Sequence, residues 1–386
     1  MFASRFHWDL RPNRLTELIR AKRLAGAQVL DLTESNPTVA GIDYPVEEIL
    51  KSLTDARSLR YDPTPAGLAT AREAVATDYY RGAVDPSRIL LTASTSEAYA
   101  YLIKLLMGPG GELLAPRPSY PLFEYLAALE SVGIVQYPLL YDSGWSIDVE
   151  ALAEAVTDRT RAVVLVNPNN PTGSFVKNQE LGAVIELCRQ HDLAIISDEV
   201  FSDYAFAPDP QRVNSLTGVD QVLTFCLSGL SKVAGLPQMK LGWIVTGGPA
   251  DLRAQAMERL ELIADTYLSV STPIQHAAPA LLGVRRGVQD QILRRTRQNL
   301  KTLIACTTNS AVRTLPVEGG WYATVQTPRI RTAEEWTLEL LERCNVLVQP
   351  GYFYDFDQEA LLVCSLLTAP EVFEEGVRRF SRFAEE

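Results

Sequence analysis

The sequence predicts an α/β fold: a large domain with a mostly parallel, seven-stranded sheet covered by helices, and a smaller α+β domain made from both chain ends. Two observations predict the sheet. Seven short runs between residues 89 and 246 are almost continuous in Val, Leu and Ile, as expected of strands buried on both faces. Helical stretches separate several of these runs, and that alternation is typical of a parallel sheet.

The elements follow one another regularly through this region. The predicted strands are Ile89–Thr92, Glu112–Ala115, Ile134–Pro138, Ala162–Val166, Ala194–Ser197, Leu223–Leu227 and Leu241–Thr246. The predicted helices between them are Glu97–Met107, Tyr120–Ser131, Val149–Val156 and Asn178–His191. A chain of 386 residues is too long for one ordinary core, so a second domain is expected.

The two chain ends have a different pattern, which predicts this second domain. They contain a predicted amphipathic helix, a long polar helix, two strands and a final helix: Arg11–Arg23, Gln289–Ser310, Gly320–Thr327, Val346–Gln349 and Glu371–Glu385. We therefore expect residues 1–42 and 289–386 to form the small domain and residues 43–288 to form the large cofactor-binding domain. A cleft between two such domains is a common ligand site.

Composition excludes several classes of partner. The net charge of −11 argues against a nucleic-acid partner, which requires clustered Lys and Arg. No apolar run is long enough to span a membrane, and charged residues interrupt the start of the chain, so no signal peptide is expected. The five cysteines lack metal-ligand spacing, which predicts reduced thiols in a cytoplasmic protein. His7, His191 and His276 are far apart in sequence, so no metal site is expected.

Three polar segments, each directly after a predicted strand, carry the strongest functional signal. They are Asn167–Gly173, Ser197–Glu199 and Ser231–Lys232, spaced by about 30 residues, the length of one strand–helix–strand unit. The carboxyl ends of parallel strands converge on one crevice, so an amide, a carboxylate and an amine can face the same ligand. Pyridoxal phosphate would use all three, because it offers a ring oxygen, a ring nitrogen and an aldehyde that reacts with lysine.

The amine and the carboxylate each have a second interpretation. Lys232 follows a cluster of small residues, where desolvation lowers the pKa of an amine and lets it attack an aldehyde, but a single lysine is more often on the surface. Asp198 ends a strand and can hold a pyridinium nitrogen protonated, or it can cap a helix. Glu199 beside it is expected to be structural.

Two further segments are similarly ambiguous. In Asn167–Gly173 the prolines stiffen the backbone and Gly173 permits an unusual turn, so an asparagine there can donate to a phenolate oxygen or simply shape the loop. Thr92–Glu97 lies between a strand and a helix, where hydroxyls and free amides either bind a phosphate or cap the helix.

Together and in this order, the motifs resemble those of the fold-type I pyridoxal-phosphate enzymes, specifically the class I/II aminotransferases related to aspartate aminotransferase. Three more segments contribute to the resemblance: Tyr61–Leu68, Pro118–Pro121 and Leu241–Trp243. The resemblance covers nearly the whole chain, and it implies that pyridoxal 5'-phosphate is the cofactor.

The resemblance also implies roles for the residues around the cofactor ring. Lys232 would form the internal aldimine and then move a proton between the substrate Cα and the cofactor. Asp198 would pair with the ring nitrogen, and Asn170 would donate to the ring oxygen. Tyr120 would stack on the ring face and belong with Lys232 and Asp198 to the catalytic residues.

Similar implications hold for the phosphate and the substrate. Ser94 and Thr95 match the phosphate-binding positions. Tyr61 matches a tyrosine that reaches the phosphate of the neighbouring subunit's cofactor, so the resemblance implies a homodimer with composite active sites. Asn36 lies in a segment, Ser35–Thr38, that in the family lines the substrate entrance.

Three positions near the cofactor depart from the family pattern. Phe201 stands where many relatives have a tyrosine that donates to the ring oxygen, and we expect its loss to raise the pKa of the aldimine. Gly229 stands where a phosphate-binding serine is usual, and Ser228 or Ser231 can substitute for it. Lys240 stands where an arginine usually binds the phosphate, so we expect moderately weaker cofactor binding.

The substrate side departs further from the family. Relatives bind the substrate α-carboxylate through an arginine near the chain end, but Leu361–Pro370 contains none, and two-point carboxylate binding is what arginine does best. Either the substrate lacks a free α-carboxylate or another residue binds it. The arginines of this region are Arg329, Arg331 and Arg343, and aromatic residues that would favour an aromatic or amide-bearing substrate are Trp321, Tyr352 and Tyr354.

The leading hypothesis is an aminotransferase that moves an amino group between an amino acid, or a related amine, and a keto acid. A lyase, a decarboxylase or a cyclase on an amino-acid-derived substrate would use the same cofactor, since fold does not fix function. The third hypothesis is a cofactor-binding regulator, which in this family is usually fused to a DNA-binding module.

Overall fold

The structure is a computed structural model, and it describes residues 3, 5, 8, 11–268 and 270–386; His7 lies outside them. The strands are β1 (Leu30–Asp31), β2 (Ile89–Thr92), β3 (Glu112–Arg117), β4 (Gly133–Tyr141), β5 (Trp145–Ile147), β6 (Thr160–Val166), β7 (Ala194–Asp198), β8 (Thr224–Gly229), β9 (Gly242–Gly247), β10 (Arg313–Thr314), β11 (Tyr322–Gln326), β12 (Val346–Leu347), β13 (Gln349–Pro350) and β14 (Leu361–Ser365). The helices are α1 (Arg14–Leu24), α2 (Val46–Ser52), α3 (Ala69–Ala74), α4 (Thr95–Leu106), α5 (Leu122–Leu129), α6 (Val149–Glu154), α7 (Asn178–His191), α8 (Leu230–Val233), α9 (Ala250–Tyr267), α10 (Thr272–Gly283), α11 (Arg285–Thr307), α12 (Ala333–Cys344) and α13 (Pro370–Phe383).

The predicted large sheet is present, with eight strands in the order β2-β9-β8-β7-β6-β3-β4-β5. Strands β8, β7, β6, β3 and β4 run parallel, whereas β9 is antiparallel to both of its neighbours. All seven predicted strands are found. The eighth, β5, pairs antiparallel with β4, and its three residues are too few to produce a recognisable pattern.

Both faces of this sheet are buried, as the apolar runs predicted. On β2, Ile89 and Leu91 pack into one hydrophobic cluster, and Leu90 between them packs into the cluster on the opposite face. Successive side chains of a strand point to opposite faces, so a strand covered on both sides must be apolar throughout. The large sheet is therefore the central layer between two helical layers.

The predicted helices lie within a few residues of their positions in the structure, and Asn178–His191 has the predicted bounds. Six helices, α2, α3, α8, α9, α10 and α12, were not predicted. In α10, Pro279 lies inside the helix and interrupts the helical sequence pattern. In α9 the buried positions include Ala256 and Ala264, whose small side chains give a weak apolar signal.

A second, smaller sheet forms near the chain end in the order β10-β11-β14-β13, and β1 pairs in parallel with β12. The prediction of one strand over Val346–Gln349 was wrong. The segment divides at the buried Val348 into β12 and β13, which belong to different sheets. One intervening residue is enough for the chain to change partner, and a hydrophobic pattern does not reveal such a change.

The two faces of the small sheet have different roles. Ala323 and Val325 of β11 and Leu362 and Cys364 of β14 pack into the hydrophobic cluster of this end of the molecule. The residues that alternate with them, among them Tyr322 and Val363, belong to the opposite face. Tyr322 lines the cleft described below, so this second face borders the candidate site.

Across residues 11–268 and 270–386, no helix is both long enough and apolar enough to cross a membrane.

Candidate active site

A cleft of about 790 Å³ lies between the carboxyl ends of the large-sheet strands and the small sheet. One wall contains the ends of β7 and β8 and the first turn of α4, and the other contains residues of β11 and β13. Parallel strands with helical connections place such a crevice at their carboxyl ends. The predicted trio, Asn170, Asp198 and Lys232, lines this one cleft.

Lys232 lies in the short helix α8, directly after β8, and its side chain is half-buried. Its Nζ atom is 4.8 Å from the ring centroid of Trp321 and 5.5 Å from that of Phe201. Burial lowers the pKa of Lys232 to about 8, and the negative charge of Asp198 opposes this effect. An appreciable fraction of the amine is therefore uncharged near neutral pH, as a nucleophile must be.

Asp198 is the last residue of β7, and its carboxyl group is buried. Burial raises its pKa to about 6, while hydrogen bonds to the ionised form act in the opposite direction. The Val200 amide donates to Oδ1 at 3.2 Å, and the Tyr99 hydroxyl donates to Oδ2 at 3.1 Å. A turn rather than a helix follows Asp198, so it does not serve as the helix cap that the sequence left open.

The three asparagines of Asn167–Gly173 have different environments. Asn167 and Asn169 bind the neighbouring backbone, through Val213 and Pro118 among others, and so shape the loop. Asn170 lines the cleft, and its buried Oδ1 has no hydrogen-bond partner. Rotation of the amide by half a turn would present its NH2 group at the same place, so this residue can serve a ligand as donor or acceptor.

Gly173 is required by the shape of this loop. Its φ of +70° lies in the left-handed region, and a Cβ atom there would come within 2.5 Å of the Gly319 carbonyl oxygen. The close approach attaches the loop to residues 317–319, next to the start of β11. The rigid turn expected from the sequence thus also connects the asparagine loop to the small sheet.

Hydroxyl groups and a helix N-terminus occupy the same wall of the cleft. Ser94 caps α4, with its Oγ accepting from the Glu97 amide at 3.1 Å, and Thr95 stands in the first turn. The Ser231 hydroxyl and the Lys240 amine also line the cleft. Ser94 therefore caps the helix, which is one of the two alternatives that the sequence left open. Free amides, hydroxyls and a cation at a helix N-terminus also suit a phosphate.

The backbone around Gly229 leaves no room for the serine side chain that the resemblance leads one to expect at this position. A Cβ atom at this position would lie 2.9 Å from the Leu241 carbonyl oxygen and 3.0 Å from the Gly242 Cα. Both contacts are with backbone atoms, so a serine here would require the chain at 241–242 to move. Of the two suggested substitutes, Ser231 lines the cleft, and Ser228 is buried within β8.

The remaining predicted site residues are divided between the cleft and the surface. Tyr120 and Phe201 line the cleft, and burial, assisted by the charge of Asp198, raises the pKa of Tyr120. Tyr61 is 71% exposed and lies outside the cleft of this subunit. Asn36 is not among the lining residues, although its neighbour Ser35 is, and the Asn36 Oδ1 accepts from the Thr38 amide and hydroxyl.

Several lining or supporting residues were not identified from the sequence. Tyr99 supports Asp198 from α4, and it lies four residues after Thr95, hence on the same helix face. This four-residue spacing could have identified Tyr99 as a site residue from the sequence. Tyr322, Gln349, Glu124 and Asp355 line the other parts of the cleft, and no motif marks them.

The arginines considered for carboxylate binding have other partners. Arg331 lies over the Trp336 ring at 4.6 Å and pairs with Glu339 at 3.3 Å. Arg343 pairs with Glu386 at 2.7 Å. Arg329 is exposed. Among the described residues, the cations that line the cleft are Lys232 and Lys240.

The site fits pyridoxal phosphate on three structural grounds. Asn170 offers a buried, unpartnered amide atom, Asp198 offers a buried carboxylate, and Lys232 offers an amine with a lowered pKa. The helix N-terminus at Ser94 fits the phosphate. The fold and the site together match one class of protein, the fold-type I enzymes, and the site has the groups that a carbonyl cofactor requires.

Comparison with known proteins identifies the family. The profile of the family described as "Aminotransferase class I and II" matches residues 27–379, so the chain belongs to this family. It is 32% identical over 290 residues to the glutamate-pyruvate aminotransferase AlaA of Escherichia coli strain K12, covering 74% of this chain and 71% of that protein.

Solved structures agree with this assignment. An aminotransferase from Escherichia coli superposes with a TM-score of 0.86 at 26% identity, covering 100% of this chain and 98% of the other. The alanine aminotransferase from Pyrococcus furiosus has the same fold, with a TM-score of 0.88 at 23% identity and full coverage of both chains. The protein is thus a pyridoxal-phosphate-dependent transaminase, and the lyase, decarboxylase, cyclase and regulator hypotheses are not favoured.

Proposed function

We propose that transamination takes place around Lys232 at the carboxyl ends of β7 and β8. The observation that carries the proposal is that the amine, the Asp198 carboxylate and the Asn170 amide reach one cleft from three separate strand ends. When bound, pyridoxal phosphate supplies an aldehyde that takes up the amino group and a ring that draws electrons from the substrate carbon. The residues proposed to hold it are Ser94, Thr95, Tyr120, Asn170, Asp198, Phe201, Ser231, Lys232 and Lys240.

Lys232 is proposed to carry the proton that leaves the substrate Cα. A base with a pKa of about 8 is well matched to proton transfer near neutral pH. Phe201 and Trp321 on one side of its amine exclude water from the path of this proton. Asp198 is ionised above pH 6, so its charge would keep a proton on the ring nitrogen.

The experiment is a spectroscopic comparison of the purified holoenzyme with Lys232→Ala. Wild type should show the visible band of a lysine-bound cofactor, lose it with an amine donor and regain it with a keto acid. Lys232→Ala should lack the band, and the surface variant Lys301→Ala should behave as wild type. A normal band in Lys232→Ala would refute the assignment of Lys232.

We also propose that the protein is a homodimer in which Tyr61 reaches the partner's cofactor. Tyr61 lies next to Leu59, which is 93% exposed, and Leu262, which is 70% exposed, shares a groove with Pro65. Large apolar side chains exposed together are typical of a surface that another subunit covers.

Co-expression of two inactive subunits tests the composite site. A Lys232→Ala subunit paired with a Tyr61→Ala subunit would assemble one site with both residues intact and one site with neither. We expect the mixed dimer to exceed the activity of either parent, measured on dimers purified with two different tags. Activity equal to the mean of the parents would exclude a contribution of Tyr61 across the interface.

The domain division and the cellular location remain proposals. A small domain of residues 1–42 and 289–386 is supported by the pairing of β1 with β12 and by Leu32, which packs into the cluster of the small sheet. A cytoplasmic location is supported by the five free cysteines, three of which are buried. Limited proteolysis and cell fractionation would test the two statements.

A further inference from the structure

We infer that the amine donor of this enzyme carries an uncharged hydrogen-bonding group, a hydroxyl or a carboxamide, where an amino acid carries its α-carboxylate. The inference rests on the transamination proposed above and names its substrate class. It is carried by the wall of the cleft that faces Lys232, which the small sheet and the following turn provide.

The part of the small-sheet face that borders the cleft is neutral. Its register places Gln349 opposite Val363, Val363 opposite Thr324, and Ser365 opposite Tyr322. The Ser365 hydroxyl is already engaged, donating to the Glu34 carbonyl oxygen and accepting from the Leu367 amide. β14 belongs to the segment in which the sequence lacks the expected arginine. Arg313 of β10 pairs with Gln326 on this face, but it contacts Tyr141 and is not among the residues that line the cleft.

Gln349 is the polar group of this face that is held ready for a ligand. It lines the cleft, and its Oε1 accepts a hydrogen bond from the Tyr354 hydroxyl. Burial raises the pKa of Tyr354 well above its usual value, so this hydroxyl stays protonated and keeps donating. The fixed Oε1 leaves the Gln349 NH2 group as a donor, which suits the oxygen of an amide or an alcohol.

Aromatic rings connect this polar group with the reacting amine. Phe201 lies beside Lys232, the Phe201 and Tyr322 ring centroids are 6.2 Å apart, and those of Tyr322 and Tyr354 are 6.5 Å apart. Burial raises the pKa of Tyr322 as well, so its hydroxyl is neutral. The path from Lys232 to Gln349 is thus a row of uncharged groups, which matches an uncharged substituent.

The charges in the cleft act against a carboxylate at this place. Lys232 is required for the reaction, and Lys240 lies on the opposite wall with the phosphate-type groups, where it is proposed to bind the cofactor. The outer lining contributes the acids Glu124 and Asp355. A carboxylate that leaves water without a cationic partner loses far more solvation free energy than neutral donors return, whereas an amide or hydroxyl is satisfied by Gln349 and tyrosine.

The half-reaction balances for such a donor. The donor R–CH(NH2)–R′ loses its Cα–N bond and its Cα–H bond and becomes the carbonyl compound R–CO–R′. The cofactor aldehyde loses its oxygen to that carbonyl, by way of one water taken up and one released, and gains the amino group and the Cα proton with its electron pair. No further oxidant or reductant is required, and a keto acid reverses the change.

Matched donors test the inference with the holoenzyme. Alanine, alaninol and alaninamide, and the corresponding phenylalanine series, differ only at the group in question. We expect the neutral donors to discharge the visible band with a second-order rate constant on the order of 10- to 100-fold above that of the parent acid. Equal or faster reaction of the acids would overturn the inference while leaving transamination intact, whereas no reaction with any of the six donors would refute the proposed function itself.

Two variants at one position sharpen the test. Gln349→Arg supplies a cation on the substrate wall and should reverse the preference in favour of the acids, and Gln349→Met should weaken the reaction of the amides without improving that of the acids. Gln349 is half-buried and its neighbours include the exposed Tyr352, so a longer side chain can be accommodated. An unchanged preference in Gln349→Arg, with cofactor content and circular dichroism as in wild type, would contradict the role of this wall.

Discussion

The two walls of the cleft are built on different principles. The wall formed by the large sheet presents charged groups, Lys232, Asp198 and Lys240, at strand ends and next to a helix N-terminus. The wall formed by the small sheet and the turn after β13 presents Gln349, neutral tyrosines and the acid Asp355, but no cation. In this chain the cations of the cleft are therefore concentrated where the cofactor is expected, and uncharged hydrogen-bonding groups predominate where the substrate is expected.

The two walls also differ in their contribution to stability. Asp198 and Lys232 both have pKa values moved by burial toward the neutral form, so their charged forms are destabilised in the fold. The Gln349–Tyr354 pair satisfies its own hydrogen bond and carries no such penalty. The predictions below alter one wall at a time, beginning with the largest expected effect.

Asp198→Asn should impair the wall of the cleft formed by the large sheet, where the cofactor is expected. We expect transamination to fall by at least about 100-fold, because the ring nitrogen would lose its charged partner. The measurement is the rate of the half-reaction at saturating cofactor. Glu199→Gln is the matched control: Glu199 is buried beside Asp198 but accepts from Ser215 and Leu216 away from the cleft, so its loss should lower the melting temperature and spare most of the rate.

Asp198→Asn should also stabilise the apoprotein. The folded pKa of Asp198 is about 6 and its ordinary value is 3.8, so the folded state holds the proton more tightly than the unfolded state. The resulting loss of stability grows as pH rises from about 4 to about 6 and is complete above that, at up to about 3 kcal/mol. In urea unfolding, the free energy of unfolding of Asp198→Asn should exceed that of wild type. This excess should be roughly 1 kcal/mol larger at pH 8 than at pH 5. A difference that does not change with pH would mean that the pKa of Asp198 is the same in the folded and unfolded states, contrary to the effect of burial proposed here.

Lys240→Arg should strengthen cofactor binding by the wall formed by the large sheet. A guanidinium group can bind a phosphate through two hydrogen bonds where an ammonium group acts as a point charge, so we expect cofactor affinity to rise by about tenfold. Fluorescence titration of the apoprotein with pyridoxal phosphate measures it. Lys240→Gln is the control and should weaken binding. Equal affinities of the lysine and arginine forms would show that Lys240 does not contact the phosphate.

A pair of tyrosine variants gives the smallest and most specific effects. Tyr99→Phe removes the donor to Asp198, and Tyr354→Phe removes the donor to Gln349. Each substitution deletes one hydrogen bond, so each effect should be a few-fold, about 1 kcal/mol, and confined to one wall of the cleft. Tyr99→Phe should shift the pH profile and the cofactor affinity, whereas Tyr354→Phe should raise KM for neutral donors and leave cofactor affinity as it is. A change of cofactor affinity in Tyr354→Phe, or of KM for neutral donors in Tyr99→Phe, would contradict the division of the cleft into a cofactor side and a substrate side.

The sequence was sufficient for the large sheet and for the motifs at its strand ends. Seven buried strands have a dense apolar pattern, and Asn170, Asp198 and Lys232 each follow such a strand directly, so their convergence in one cleft was predictable from topology. Tyr99 could have been identified from its helical spacing to Thr95.

The small-sheet wall could not be predicted in the same way. Gln349 reaches the cleft because the chain changes sheets at Val348, and a pattern of apolar residues contains no record of which strand pairs with which. The hydrogen bonds of the Asn36 side chain to Thr38 are likewise a local feature that the sequence pattern does not reveal. The wall that we propose to recognise the substrate therefore depends on strand pairings that only the folded structure shows.

The crowding around Gly229 has an evolutionary consequence. A serine at this position would collide with the backbone at Leu241 and Gly242, so a single codon change from glycine to serine would disrupt the site. A serine could be accepted only together with a shift of the 241–242 segment. A chain with glycine at 229 is therefore expected to accept changes in phosphate binding at other lining positions, such as Lys240, more readily than at 229 itself.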